Sequence, residues 1–88
     1  MSENEIRDFI INHLRKRLEL LGVSEKEIKK KFDFVQSGLL DSMSFVDMIT
    51  AMEDHFGVEI DFEEEPENES FTSLGGLQKV FLKQESNE

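Results

Sequence analysis

The sequence contains no cysteine. A disulfide framework, a zinc–thiolate site and a cysteine nucleophile are therefore excluded, and the absence fits a reducing compartment. Lys and Arg are missing from the whole stretch between Phe32 and Gln78, while acids accumulate from Asp33 to Glu69. No apolar run approaches the length of a membrane span. The N-terminal stretch is amphipathic and charged rather than uniformly apolar, so it does not read as a secretion signal, and a cytoplasmic location is expected. Histidine is limited to His13 and His55. Internal repeats and long linkers are absent. With 88 residues, 38% of them hydrophobic, the chain can bury one small core but not two.

What is present is acid. Twenty Asp and Glu face ten Lys and Arg, for a formal net charge of −10. Phosphate contacts need a basic face, so nucleic-acid binding is disfavoured. Adsorption to anionic membranes and membrane insertion are disfavoured on the same grounds. Basic protein partners are favoured through long-range steering. The basic residues sit in the first third, from Arg7 to Lys31, with Lys79 and Lys83 near the end. The middle therefore carries a field of one sign. The plainest explanation of such a surface is solubility alone.

Helical periodicity organises the chain. Ser2 and Glu5 have capping-box spacing, and Ile6, Phe9, Ile10, Leu14, Leu18 and Leu21 then recur on one face. A first helix over about 3–21 follows, closed by Gly22. Ser24 and Glu27 offer a second capping box, which predicts a short helical turn to about Lys30 or a loop. Residues 32–40 read as a loop that tucks Phe32, Phe34, Val35, Leu39 and Leu40 beneath the helices. Asp41 can cap a second helix over about 42–56, with Phe45, Met48, Ile49, Met52 and Phe56 inward and Gly57 at its end. Val58, Ile60 and Phe62 alternate with acids, but a lone strand has nothing to pair with, so an extended connector is expected. Pro66 can open a short helix near 66–70. Thr72 is the expected cap of a last helix that turns Leu74, Leu77, Val80, Phe81 and Leu82 inward. Gly75 and Gly76 weaken its start by about 1 kcal/mol each relative to alanine, which points to close packing there. The expected organisation is a single domain over 1–83 with a frayed tail over 84–88. The fold class is all-α, a small bundle of three main helices and one short helix.

The informative stretch is Gly38-Leu39-Leu40-Asp41-Ser42-Met43. It puts a serine in the first turn of a helix, beside a capping aspartate and after an exposed loop. No earlier turn covers a first-turn side chain, so the Ser42 hydroxyl should face solvent. The helix start carries partial positive charge and free amides, so a phosphate joined to Ser42 would be tolerated. A nucleophilic serine would need a base and an oxyanion hole. His55 lies thirteen positions along the same helix, about 20 Å away at 1.5 Å per residue. His13 falls in the middle of the first helix, and the Gly-x-Ser-x-Gly elbow is absent. Self-contained serine hydrolysis is disfavoured on these grounds.

Over roughly Ile6 to Phe81 the chain resembles the acyl carrier proteins and their peptidyl and D-alanyl carrier relatives. Asp41-Ser42-Met43 looks like the family's Asp-Ser-Leu motif. Val46, Asp47, Met52, Glu53, Phe56, Ile60 and Phe71-Thr72-Ser73-Leu74 follow at similar spacing. The triplet alone is common; with the helix length, the acidity and the downstream spacing it becomes specific. The resemblance implies an acyl-carrier-like bundle without catalytic activity of its own. It implies 4'-phosphopantetheine on Ser42, with Asp41 as motif residue and helix cap. A phosphopantetheinyl transferase would install that group, bringing its own base and magnesium. The arm ends in a thiol that carries an acyl or aminoacyl group as a thioester, a sulfur that this cysteine-free chain lacks.

The same resemblance makes the second helix the docking face. Met43, Val46 and Thr50 lie on one flank with Glu53, and Asp47 and Asp54 lie beside them. A small apolar patch ringed by carboxylates suits loading ligases and downstream acyl-transferring enzymes with basic docking patches. Each acid taken singly is equally well explained as a solvated side chain, and Met48, Ile49 and Phe56 are core. A monomer is expected of a carrier that visits several enzymes. Two positions depart from the family pattern. Ser44 stands where many fatty-acid carriers have an acid, and Phe45 where they often have a smaller residue facing the acyl pocket. With Phe71 and Met52 nearby, the interior is expected to be filled, and the cargo small, polar or held outside. A D-alanyl-like or other stand-alone carrier served by an adenylating ligase fits the motif as well.

Two other classes compete. An acidic adaptor or nucleic-acid mimic would act through charge alone, and leaves the serine-first helix unexplained. A calcium site over Asp61–Thr72 would lack the central glycine of an EF-hand loop, and Phe62, Glu63 and Pro66 interrupt its ligand alternation.

Overall fold

The structure, a computed structural model, describes residues 1–60 and 71–86. Three α-helices carry it: α1 (Glu3–Leu21), α2 (Ser42–Phe56) and α3 (Leu74–Ser86). The architecture is all-helical, and among the described residues there is no strand, only an isolated antiparallel bridge between Asp33 and Ser73. The short helix expected after Ser24 is only a 3-10 turn over Glu25–Glu27. It stops early because its Ser24/Glu27 cap holds one turn, with the Ser24 N–H donating to Glu27 Oε2 at 2.7 Å, and no apolar stripe extends it. The helix expected near 66–70 lies outside the described residues, as do all the acids of the candidate calcium loop.

α1 starts where Ser2 Oγ accepts the Glu5 N–H at 3.2 Å. Ile6, Ile10, Ile11, Leu14 and Leu18 are buried in one stripe, while Leu20 and Leu21 face solvent. Phe45, Met48, Ile49 and Met52 form the buried stripe of α2, with Phe56 half-buried at its edge. Leu74, Leu77, Val80 and Phe81 do the same for α3. Fully burying one such side chain stabilises the fold by about 1.5–3 kcal/mol, so these three stripes hold the bundle together. α1 and α2 both end on a glycine in the left-handed region, Gly22 at φ 69° and Gly57 at φ 70°. That geometry lets the Gly57 N–H reach Glu53 O at 2.9 Å, satisfying a carbonyl of the last turn.

The loop before α2 is anchored at both ends. Phe34, Leu39 and Leu40 are buried under the helices. Residues 30–34 are also stitched to the start of α3. Gly75 N–H donates to Lys30 O at 2.9 Å, Leu74 N–H to Phe32 O at 2.9 Å and Phe34 N–H to Thr72 O at 2.8 Å. Asp33 is the hub of this seam. Its Oδ1 accepts the N–H groups of Val35 and Gln36 at 3.0 and 2.8 Å, and its Oδ2 accepts the Thr72 hydroxyl at 2.6 Å. Thr72 is thus occupied across the seam and does not cap α3. Ser73 does so instead, its Oγ accepting the Gly76 N–H at 3.1 Å. At the other end α3 runs on through Gln84 to Ser86, and the Gln84 amide donates to Glu59 O at 2.7 Å.

Gly75 explains why two glycines open α3. A Cβ there would stand 3.0 Å from Lys30 O and 3.3 Å from Lys30 Cβ. The carbonyl is held in place by the Gly75 N–H itself, so it has little room to yield. Helix propensity alone would make Gly75→Ala stabilising by about 1 kcal/mol. We expect the opposite, a loss of about 1–3 kcal/mol from overpacking against the seam, read by urea unfolding. A stabilised variant would show that the seam is not tight.

Candidate functional site

α2 begins with a division of labour between neighbouring side chains. The first amides of a helix have no intrahelical acceptor and must be satisfied from outside the ladder. Asp41 sits just outside the helix in extended conformation, and its Oδ1 accepts the Ser44 N–H at 2.7 Å. Ser42, the first helical residue, is thereby released from capping. It is exposed, and no described residue hydrogen-bonds its hydroxyl. Neither His13 nor His55 is paired with it. Both histidines instead stack on Phe9, with ring centroids 5.8 and 4.7 Å away.

The electrostatics of Asp41 follow from the same geometry. The Ser44 N–H and then the Ser44 hydroxyl hold its carboxyl below the ordinary aspartate range. Partial desolvation works against them, while the Arg17 guanidinium and the Met43 N–H add to the lowering. Arg17 reaches this end of α2 from α1, and its Nη1 donates to Leu39 O at 3.1 Å, three residues before Ser42. The sequence drew no attention to Arg17. Only its place in a run of basic residues was visible, and a contact across 22 positions leaves no periodic signal.

The expected docking residues separate into groups. Met43 and Val46 are 76% and 60% exposed, large apolar side chains left in water on α2. Thr50 continues their flank, its hydroxyl donating back to Val46 O at 3.1 Å. Val46 and Thr50 also form one lip of an open, largely apolar groove of about 390 Å³, whose walls include Phe45, Ile49, Phe71 and Thr72. Asp54 is exposed near the end of the helix. Asp47 lies on the flank towards α1, where it joins Ser44 along a groove shared with that helix. Glu53 is half-buried and already has a structural task, because its Oε2 accepts the Ile60 N–H at 2.8 Å and pins the chain after Gly57. Phe45 and Met52 are buried, as their inward positions require. Among the described residues no three His, Asp or Glu side chains converge to hold a metal ion. No described helix is long and apolar enough to cross a membrane.

An exposed serine hydroxyl, relieved of capping, at the start of an acidic helix is what a group-carrier attachment site requires. The sequence model for the phosphopantetheine attachment site matches residues 18–74, from the end of α1 to the start of α3. The chain belongs to this family, that of the acyl carrier proteins. It is 46% identical over 44 residues to the "Acyl carrier protein" of Nitratidesulfovibrio vulgaris (strain DP4), a match covering 50% of this chain and 58% of that protein. The "Acyl carrier protein" of the Miyazaki F strain is 43% identical over the same length and coverage. The matched region thus spans less than two thirds of these relatives. No solved structure gives a significant match. Family membership implies a covalently attached 4'-phosphopantetheine. The residues present fit it, since the Ser42 hydroxyl, which no described residue hydrogen-bonds, stands at the helix start and the Arg17 guanidinium reaches the segment before it.

The lowered pKa of Asp41 sets the pH dependence. A carboxyl whose folded-state pKa lies below its unfolded value contributes stability that is complete above the unfolded value and is lost as pH falls through the folded one. Asn also caps helices well, but without charge. At neutral pH the expected order of melting temperature is wild type, then Asp41→Asn, then Asp41→Ala. The gap between wild type and Asp41→Asn should hold steady down to the ordinary carboxylate range and close only in stronger acid. Thermal melts across a pH series check this; a gap that closes near neutrality would contradict it.

Proposed function

We propose that Ser42 is the attachment residue for 4'-phosphopantetheine and that the chain is a carrier handing on an acyl or aminoacyl group. The observation that supports this most directly is the Ser42 hydroxyl, exposed and unpartnered while Asp41 caps the helix beside it. The group supplies the thiol that the chain lacks, and its thioester holds the cargo. The chain contributes position. It presents Ser42 Oγ to a phosphopantetheinyl transferase, whose own base takes the hydroxyl proton as the oxygen bonds to the pantetheine-bearing phosphorus of coenzyme A and adenosine bisphosphate leaves. Among the described residues no base is paired with the hydroxyl, and we assign the protein no catalysis of its own.

Met43, Val46 and Thr50 form the apolar docking strip, with Asp47 and Asp54 flanking it. Met43 and Val46 stand exposed without a partner, and exposed apolar side chains ringed by charge mark interaction surfaces. Glu53 contributes less, being committed to Ile60. Loading ligases and acyl-transferring enzymes with basic rims would bind this strip quickly, weakly and in a salt-sensitive way. The protein works as a monomeric carrier domain in the cytoplasm. The cargo is small or polar. What supports this is that Met48, Met52, Leu77 and Phe81, packed among the helices, have no measurable exposure, and that the Phe45 ring itself lines the apolar groove. The same filled interior favours a D-alanyl-like or other dedicated carrier loaded by an adenylating ligase.

Two experiments test this. Incubation with coenzyme A, magnesium and a promiscuous phosphopantetheinyl transferase should add one phosphopantetheine by intact mass, and Ser42→Ala should abolish the addition. Modification of another residue would overturn the assignment. Loading the holo protein with a medium-length acyl chain should leave its thermal melt nearly unchanged. A large stabilisation would show that the chain enters the bundle, contrary to the small-cargo reading.

A further inference from the structure

α2 is flanked by two grooves of unlike chemistry. One is the apolar groove against Phe71 and Thr72, with Glu53 the only charged wall residue among the described residues. The other, of about 370 Å³, lies between α1 and α2 and is lined by His13, Lys16, Arg17 and Leu20 on one side and by Ser44 and Asp47 on the other. We propose that the groove between α1 and α2 is a resting site for the phosphopantetheine arm carried on Ser42, with Arg17 and Lys16 receiving its phosphodiester. This rests on the reading of Ser42 as the attachment residue.

Three observations carry it. The first is reach. Arg17 donates to Leu39 O, and its field acts on Asp41, so its guanidinium stands over the segment that leads into Ser42. Ser44, two residues past the attachment point, already forms part of the groove wall. The second is charge. The phosphodiester is a permanent anion, and the stretch from Phe32 to Gln78 has no Lys or Arg to receive it. On α1, Lys16 forms no ion pair with any described residue, and Arg17 spends one N–H on Leu39 O and keeps its others. A charge-assisted bond from a guanidinium to a phosphate oxygen is among the stronger polar contacts available at a surface. The third is the character of the rest of the arm. Its hydroxyl and two amides would lose hydrogen bonds in an apolar groove. Beside α1 they meet Asp47 as an acceptor and the Ser44 hydroxyl, while Leu20, 86% exposed at the rim, covers methyl groups. Asp47 also repels the phosphate, which places the phosphate at the Arg17 end and the amides at the Asp47 end.

The test compares amide NMR shifts of isotope-labelled apo and holo protein, after intact mass has shown one phosphopantetheine on Ser42. Holo-minus-apo shifts should cluster at Lys16, Arg17, Leu20, Ser44 and Asp47 as well as beside Ser42. They should shrink towards noise in Lys16→Gln, which leaves the Arg17–Leu39 tie intact, and again in Arg17→Gln. About 1 M salt, where the Debye length is about 3 Å, should weaken them in the wild type. The phosphorus resonance of the holo protein should move in both variants. Shifts confined to residues 41–43, or clustered at Phe45, Ile49 and Phe71, would overturn the groove assignment and leave the carrier reading standing. Failure of Ser42 to gain the group would overturn both.

Discussion

One hydrogen bond determines what this molecule can present: Asp41 Oδ1 accepting the Ser44 N–H. A helix start must satisfy its free amides, and aspartate and serine are comparable caps. Were the cap one residue later, Ser42 would turn its oxygen back onto the helix and lose its place in solvent. With the carboxylate one position ahead, the hydroxyl stays free while remaining on the most rigid part of the chain. The lowered pKa of Asp41 is the electrostatic trace of the same bond. Rigidity and availability usually conflict in a side chain, and two adjacent residues resolve that conflict here.

The cap would have little value if the preceding loop drifted. Two long-range devices hold it. Asp33 gathers two amides of its own loop and the Thr72 hydroxyl from across the chain, beside the backbone seam that joins residues 30–34 to the start of α3. Arg17 reaches from α1 to Leu39 O. Apolar burial of Phe34, Leu39 and Leu40 supplies the mass of the anchoring, and these polar ties fix its direction. Burial is non-directional, so it can hold a loop down without saying where its tip points. Hydrogen bonds with defined partners do the pointing.

The same distinction separates what was legible in the sequence from what was not. α1 and α2 were legible to the residue because each carries a periodic stripe between a side-chain cap and a left-handed glycine. The Asp41–Ser42 register at the helix start followed from that. Contacts across the seam were not legible. Thr72 has a capping residue's chemistry and lies next to a helical stripe, yet its hydroxyl is drawn off to Asp33, 39 positions away, leaving Ser73 to cap. Gly75 and Gly76 announced a close approach, but the partner, Lys30, could not be named from spacing. Glu53 lies on the acidic flank of the helical wheel, and its bond to the Ile60 N–H carried no signal in the sequence. In each case local propensity was read correctly and a distant partner changed its use.

α2 therefore stands between two environments that the rest of the chain supplies. The segment at Phe71 and Thr72 gives it an apolar flank, and α1 gives it a cationic one. The charge asymmetry of the sequence acquires a structural meaning in this arrangement. Acids alone would suffice for solubility, and they would not require the bases to gather in the first third. Arg7, Arg15, Lys16 and Arg17 lie on α1 and Lys26 to Lys31 just after it, so α2 keeps its acids while a guanidinium stays close behind its first turn. Had Arg17 been placed on α2 itself, it would have neutralised the face that basic partners read. Carried on the neighbouring helix, it ties the loop through Leu39 O without adding positive charge to that face.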